Sequence, residues 1–288
     1  MQMCPTCARL YDAAARFCAM DGSLLVESDQ ERTGDLVDGR YRIVRRLGRG
    51  GAGEVWLAKD TQLFDRLVAV KRLEVEGAAL DEALARMERE AQNAALLDHP
   101  NLLSVSGLVR WGSARAIVLK YVPGPTLEEL VGGCGPLSAP LIELIVTDVA
   151  EGLEAMHAEG IVHRDIKPAN VIFHFQGNAQ GRAIILDFGI ARRFDDPSQS
   201  ITNRRGLIGT LKFMPPEQVW ARAVDHRADV YALAAMTCFL LLGGLPTRAP
   251  GIPLDRQLLP GGRDWPSGLA QTIDAALAVD VERRTATP

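Results

Sequence analysis

Apolar and polar positions change rhythm several times along the chain, and each change marks a predicted element. Tyr41-Arg42-Ile43-Val44-Arg45-Arg46-Leu47 alternates with the period of a half-buried strand. After a glycine-rich interval, Glu54-Val55-Trp56-Leu57-Ala58 reads as a second strand. The apolar run Val68-Ala69-Val70, ending in Lys71, comes next. The rhythm then lengthens: Leu80, Leu84, Met87, Ala91 and Ala95 recur at helical spacing and predict an amphipathic helix over 80–97. His99-Pro100-Asn101 ends it, because proline disfavours a helical residue before it.

Strand-like segments at 102–109 and 116–122 follow. Thr126-Leu127-Glu128-Glu129 has the capping-box pattern of a short helix, and Ser138 precedes a longer periodic segment ending near His157. Val171-Ile172-Phe173 and Ile184-Ile185-Leu186 read as paired strands around a Gly/Asn turn. The longest apolar run, 230–242, is shorter than the roughly 20 residues of a membrane span and includes Tyr231 and Thr237. It predicts a buried helix, so no membrane span is expected within the chain.

Composition narrows the picture in three places. With 288 residues and 47% hydrophobic content, the chain can form one large domain or two lobes plus a small appendage. A net charge of -4 gives no basic footprint, which argues against nucleic acid as a partner. The N-terminus lacks the basic-then-apolar order of a signal peptide, so the expected location is cytoplasmic.

Three of the five cysteines fall in the first eighteen residues, an arrangement of metal ligands more than of disulfides. Cys4-Pro5-Thr6-Cys7 places two thiols at knuckle spacing, and Cys18 with Asp21 repeats it. The expectation is a small zinc ribbon over 1–27 with Cys4, Cys7, Cys18 and Asp21 as ligands; the alternative is a disordered tail with free thiols. Residues 28–37 read as a polar linker. Cys134 and Cys238 have no spacing partner and read as core residues, and His157, His174 and His226 as structural ones.

The chemistry concentrates elsewhere. Gly48, Gly50 and Gly53 permit a tight hairpin whose amides approach phosphates; a dinucleotide fingerprint would continue into a helix, whereas here a strand follows. His163-Arg164-Asp165-Ile166-Lys167-Pro168-Ala169-Asn170 puts an acid, a cation and an amide on one short loop, and Asp187-Phe188-Gly189 adds a second acid. That set suits phosphoryl transfer, which needs positioned oxygens and hard ligands for divalent cations.

With the glycine hairpin, Lys71 and the helix glutamates in the same order, the chain resembles the eukaryotic-like (bacterial-type) Ser/Thr protein kinases. The resemblance implies an α+β, two-lobed protein kinase fold over 38–288, with a small β-rich N-lobe (38–119) and a larger helical C-lobe (120–288) whose last helix is missing.

It implies that Asp165 accepts the proton of a protein Ser or Thr hydroxyl and that Lys167 sits beside the transferred phosphate. Asn170 and Asp187 would hold magnesium. Lys71 would contact the ATP phosphates and pair with Glu90, with Glu88 as the competing choice. Nucleotide contacts would come from Gly48, Gly50, Gly53, Val55, Ala69, Leu119, Lys120, Val122 and Ile172. Residues 190–217 would be an activation segment, with Thr210 near Asp165 and with autophosphorylation at Thr202, Ser198 or Ser200. Asp229 would hold the catalytic-loop backbone, and Arg284 would pair with Glu217. A pseudokinase that binds nucleotide without turnover is the rival reading; the lesions in Lys71, Asp165 or Asp187 that would mark it are absent.

Overall fold

Strands that alternate in sequence must bury one face, and a sheet that curls on itself provides the place. The computed structural model describes residues 2–4, 9–12, 14–20, 22–23, 26–27, 32–50, 53–73, 97–112, 114–176, 180–186, 212–220, 222–244 and 268–288. Two compact units are present: residues 1–96 with 104–123, and residues 97–103 with 124–288.

In the first unit, β1 (Gln2–Met3), β2 (Leu10–Tyr11) and β3 (Val26–Glu27) form a small antiparallel sheet in the order β2-β1-β3. A six-stranded antiparallel sheet follows, built from β4 (Leu36–Val37), β5 (Tyr41–Gly50), β6 (Gly53–Asp60), β7 (Arg66–Leu73), β8 (Val105–Trp111) and β9 (Ala114–Lys120). Its order is β4-β5-β6-β7-β9-β8. One face buries Val37, Tyr41, Ile43, Trp56, Ala58, Val68, Val70, Ala116 and Val118 in a single cluster. Trp56 and Trp111 meet edge to face there, ring centroids 6.0 Å apart, a geometry that aromatic quadrupoles favour.

The expected linker of 28–37 is, where described, attached to this sheet. Gly34 N–H donates to the Ile43 carbonyl and Ile43 N–H to the Asp35 carbonyl, both at 2.9 Å. Val37 is 1% exposed, and the Arg32 guanidinium lies 5.6 Å from the Trp111 ring centroid.

The second unit holds α1 (Leu127–Cys134), α2 (Ala139–Ala158), the hairpin β10 (Val171–Gln176) and β11 (Gln180–Ile185), α3 (Pro216–Val219), α4 (Arg227–Leu242) and α5 (Leu269–Ala276). Thr126 caps α1 through the predicted capping box with Glu129. In α2 the buried residues Ile142, Ile145, Val149, Leu153 and Met156 follow helical spacing, and the helix rests on β11. Gly152 permits the close approach, since a Cβ there would stand 3.0 Å from Ile185 Cδ1 and 3.1 Å from Leu102 Cδ2. Gly124, at φ +146°, faces the Phe173 carbonyl so closely that no side chain fits.

The helix expected over 80–97 lies, apart from Leu97, outside the described residues. The strand expected over 102–109 begins at Val105, because the preceding segment serves the other unit: Leu102 bridges to Ile185, and Leu103 N–H donates to the Ile185 carbonyl at 3.0 Å. One reading is corrected. Cys238 is buried, but Cys134 is exposed, because it is the last residue of α1, just before the Gly135 cap and past the buried residues Leu127 and Val131.

Candidate active site

The loop after α2 carries the chemistry, and its shape is set by a buried acid on α4. Asp229, 0% exposed, accepts from the backbone N–H of His163 at 2.9 Å and of Arg164 at 2.8 Å. His157 Nε2 lies 2.8 Å from Asp229 Oδ2. A carboxylate in the first turn of a helix is also favoured by the helix dipole. Three donors thus satisfy an acid that would otherwise be costly to bury.

His163 fixes the next step. Asp165 N–H donates to its Nδ1 at 3.2 Å, so its Nε2 carries the proton and donates to the Leu186 carbonyl at 3.0 Å. The imidazole therefore ties the catalytic loop to the residue just before Asp187. Asp187 itself lies outside the described residues.

Asp165, Lys167 and Asn170 are brought together. Lys167 Nζ lies 3.1 and 3.0 Å from the two Asp165 carboxylate oxygens, and both side chains remain partly open to solvent. Asn170 Nδ2 donates to the Asp165 carbonyl at 2.8 Å and to Asp165 Oδ2 at 3.0 Å. The amide nitrogen is thereby committed, leaving Asn170 Oδ1 as the amide's remaining acceptor. A single turn of 3-10 helix, Pro168–Asn170, places it.

The end of the expected activation segment is anchored twice, once to the C-terminal Arg284 and once, just beyond it, to this loop. Glu217 and Arg284 form a buried ion pair at 2.6 Å. Gln218 Nε2 donates to the Arg164 carbonyl at 3.0 Å. Neither Gln218 nor the ring bonds of His163 were singled out from sequence; position just after the Pro-Pro-Glu run, and the His-x-Asp spacing, were the available signals.

In the first unit, Lys71 is 3% exposed on β7, in register between Val55 on β6 and Ile117 on β9. Ala69 pairs with Leu119, which is 6% exposed, and Lys120 with Val68. The β5–β6 hairpin sets Gly48 opposite Val55 and Gly50 opposite Gly53, with bulges before Arg45 and Gly48. Val122 is buried. In the second unit Ile172 bridges to Thr126. Glu88, Glu90, Thr210, Ser198, Ser200 and Thr202 lie outside the described residues.

At the N-terminus Cys4 and Cys18 are buried in one cluster with Tyr11 and Ala15 beside them. Met20 N–H donates to Cys18 Sγ at 3.4 Å, and the Tyr11 hydroxyl lies 3.0 Å from the same sulfur. Cys7 and Asp21 lie outside the described residues, and among the described residues no three candidate ligands are gathered.

A family model described as the protein kinase domain matches residues 41–254, a span that contains the glycine hairpin, Lys71, the catalytic loop and Asp229. The chain belongs to the protein kinase family. This kinase is 34% identical over 246 residues to serine/threonine-protein kinase PrkC of Bacillus subtilis, covering 84% of this chain and 37% of that protein. It is 38% identical over 211 residues to serine/threonine-protein kinase PknB of Mycobacterium tuberculosis, covering 72% of this chain and 33% of that protein. The chain thus spans about a third of the length of these curated relatives. Among solved structures, the Mycobacterium tuberculosis PknI kinase domain superposes with a TM-score of 0.68 at 31% identity, covering 88% of this chain and 94% of that one. Among the described residues no helix is long and apolar enough to cross a membrane.

Proposed function

We propose that this chain is a serine/threonine protein kinase that transfers the γ-phosphoryl group of ATP to a protein hydroxyl. The observation that carries the reading is the cluster of Asp165, Lys167 and Asn170 on a loop whose backbone is held by Asp229. Asp165 accepts the proton of the Ser or Thr hydroxyl as its oxygen bonds to the γ-phosphorus and the bond to the β-phosphate oxygen breaks. Lys167, its ammonium 3.0 Å from that carboxylate, brings positive charge beside the developing phosphate charge. Lys71, buried on its strand, contacts the ATP phosphates, with Glu90 as its partner.

Asn170 fits magnesium, because its nitrogen is spent on Asp165 and its oxygen is the remaining ligand; Asp187 is the second. Bound magnesium would neutralise phosphate charge. Nucleotide contacts are assigned to Gly48, Gly50, Gly53, Val55, Ala69, Leu119, Lys120, Val122 and Ile172.

Transfer of label from ATP to a generic protein substrate tests the reading. Asp165→Asn and Lys71→Met should each lose at least about a hundredfold in rate. Equal rates in wild type and Asp165→Asn would end it, and a wild type that binds nucleotide without transfer would favour the pseudokinase. Autophosphorylation at Thr202, Ser198 or Ser200 belongs to the same reading; mass spectrometry after incubation with ATP and magnesium should find phosphate between residues 195 and 210. Cytoplasmic location and a kinase domain over 38–288, after a ribbon (1–27) and a linker (28–37), complete it.

A second assignment concerns that ribbon. Burial of Cys4 with Cys18, and the N–H donated to the Cys18 sulfur, fit thiolates that hold zinc together with Cys7 and Asp21. Zinc there would supply folding energy to a segment with little core of its own. Elemental analysis should find about one zinc per chain, lost in Cys4→Ser; a trace amount in wild type would remove the assignment.

A further inference from the structure

Arg164 sits at φ +66°, a left-handed conformation that crowds Cβ against the following carbonyl. It is held there from both sides. Its N–H donates to Asp229 Oδ1 at 2.8 Å, and its carbonyl accepts from Gln218 Nε2 at 3.0 Å. That carbonyl shares a peptide plane with the N–H of Asp165, which donates to His163 Nδ1 at 3.2 Å. The plane leading into Asp165 is therefore pinned at its oxygen edge by Gln218 and at its nitrogen edge by His163.

Gln218 is only 8% exposed, and its Oε1 is buried with no hydrogen-bond partner among the described residues. A buried amide with one half idle is a poor choice for packing, because the idle acceptor has lost its water. The working half is the nitrogen. Phe213 and Met214 line a small cavity with Arg164, Asp165 and Ile166, so the turn before α3 abuts the same stretch of loop.

We propose that Gln218 is a positioning residue for phosphoryl transfer: its amide holds the Arg164 carbonyl, aims Asp165, and couples the segment 213–220 to the catalytic loop. The inference rests on the kinase reading given above. Without the amide, the peptide between Arg164 and Asp165 can rotate to relieve the left-handed strain. The carboxylate then loses its aim while Lys71 and the glycine hairpin are untouched.

Two variants of the full chain test this. Gln218→Met keeps length and removes the idle oxygen with the working nitrogen. Its thermal midpoint should stay within about 2 °C of wild type and its KM for ATP within about twofold, while kcat falls about tenfold, the effect of one lost hydrogen bond. Gln218→Glu turns a carboxylate towards the Arg164 carbonyl. Burial raises the carboxyl pKa, so the protonated acid can donate as the amide did. Its rate relative to wild type should rise severalfold from pH 8 to pH 6.

A Gln218→Met enzyme with wild-type kcat overturns the proposal. So does a kcat loss accompanied by a large fall in midpoint and a flat pH ratio in Gln218→Glu, which would mark packing alone. An inactive wild type, by contrast, sinks the kinase reading and this inference with it.

Discussion

Arg284 clasps Glu217 with two hydrogen bonds, 2.6 and 3.0 Å, between side chains 67 residues apart and both buried. The guanidinium also donates to the carbonyls of Ala278 and Arg227, so all five of its N–H groups are used. Such a pair adds little over an apolar replacement, but breaking it strands a charge. Arg284→Ala or Glu217→Ala should cost about 3–5 kcal/mol in urea unfolding. Arg284→Lys, which keeps the charge but not the fork, should recover only part of the loss. Wild-type stability in Arg284→Ala would contradict the account.

Acid sensitivity should follow two carboxylates. Hydrogen bonds from Arg40 at 2.8 and 2.7 Å hold the Asp60 pKa below its ordinary value of 3.8, outweighing the opposing effect of burial. Arg227 does the same for Asp225. A depressed pKa means stability that is complete above the unfolded-state value and lost as pH falls through the folded-state one. Asp60→Asn should therefore melt below wild type at pH 7, and the gap should close below about pH 4. A gap that widened on acidification would reverse the sign and refute the assignment.

His163 makes a third test. His163→Phe preserves the ring and strands both the Leu186 carbonyl and the Asp165 N–H, each at a cost of about 1–3 kcal/mol. Stability measured by urea titration and phosphoryl transfer should fall together. A change in neither would show that the ring bonds are incidental.

At Gly124 the expected result is steric. Ala at φ +146° meets the Phe173 carbonyl, and β10 cannot retreat because Phe173 N–H donates to the Pro125 carbonyl at 2.9 Å. Gly124→Ala should lower the thermal midpoint of the kinase by several degrees. Gly160→Ala serves as the comparison, since Gly160 also has positive φ but open space around it. If the two variants melt alike, only backbone strain matters at Gly124.

What the sequence made legible was local chemistry. The capping box at Thr126 follows from a short local motif, whereas the grouping of Asp165, Lys167 and Asn170 and the pairing of Glu217 with Arg284 were expected from the family resemblance, which several motifs in the same order carry. The attachment of 32–37 to the sheet was not legible, because its signal is a pair of backbone bonds to β5 and one cation over Trp111, none of which leaves a periodic trace. Cys134 misled for a similar reason: residue type alone cannot tell a helix end in solvent from a core position. Gln218 escaped notice because its bond goes to a backbone carbonyl 54 residues away, a partner of no particular residue type.

The anchoring of Arg32 over Trp111 also sets a leash. Glu27, the last residue of the N-terminal sheet, is five peptide steps from Arg32, a reach of at most about 18 Å. A ligand bound to that sheet would be held near the six-stranded sheet at an effective concentration of about millimolar. Weak affinity of such a ligand for the six-stranded sheet would then suffice for it to be occupied there.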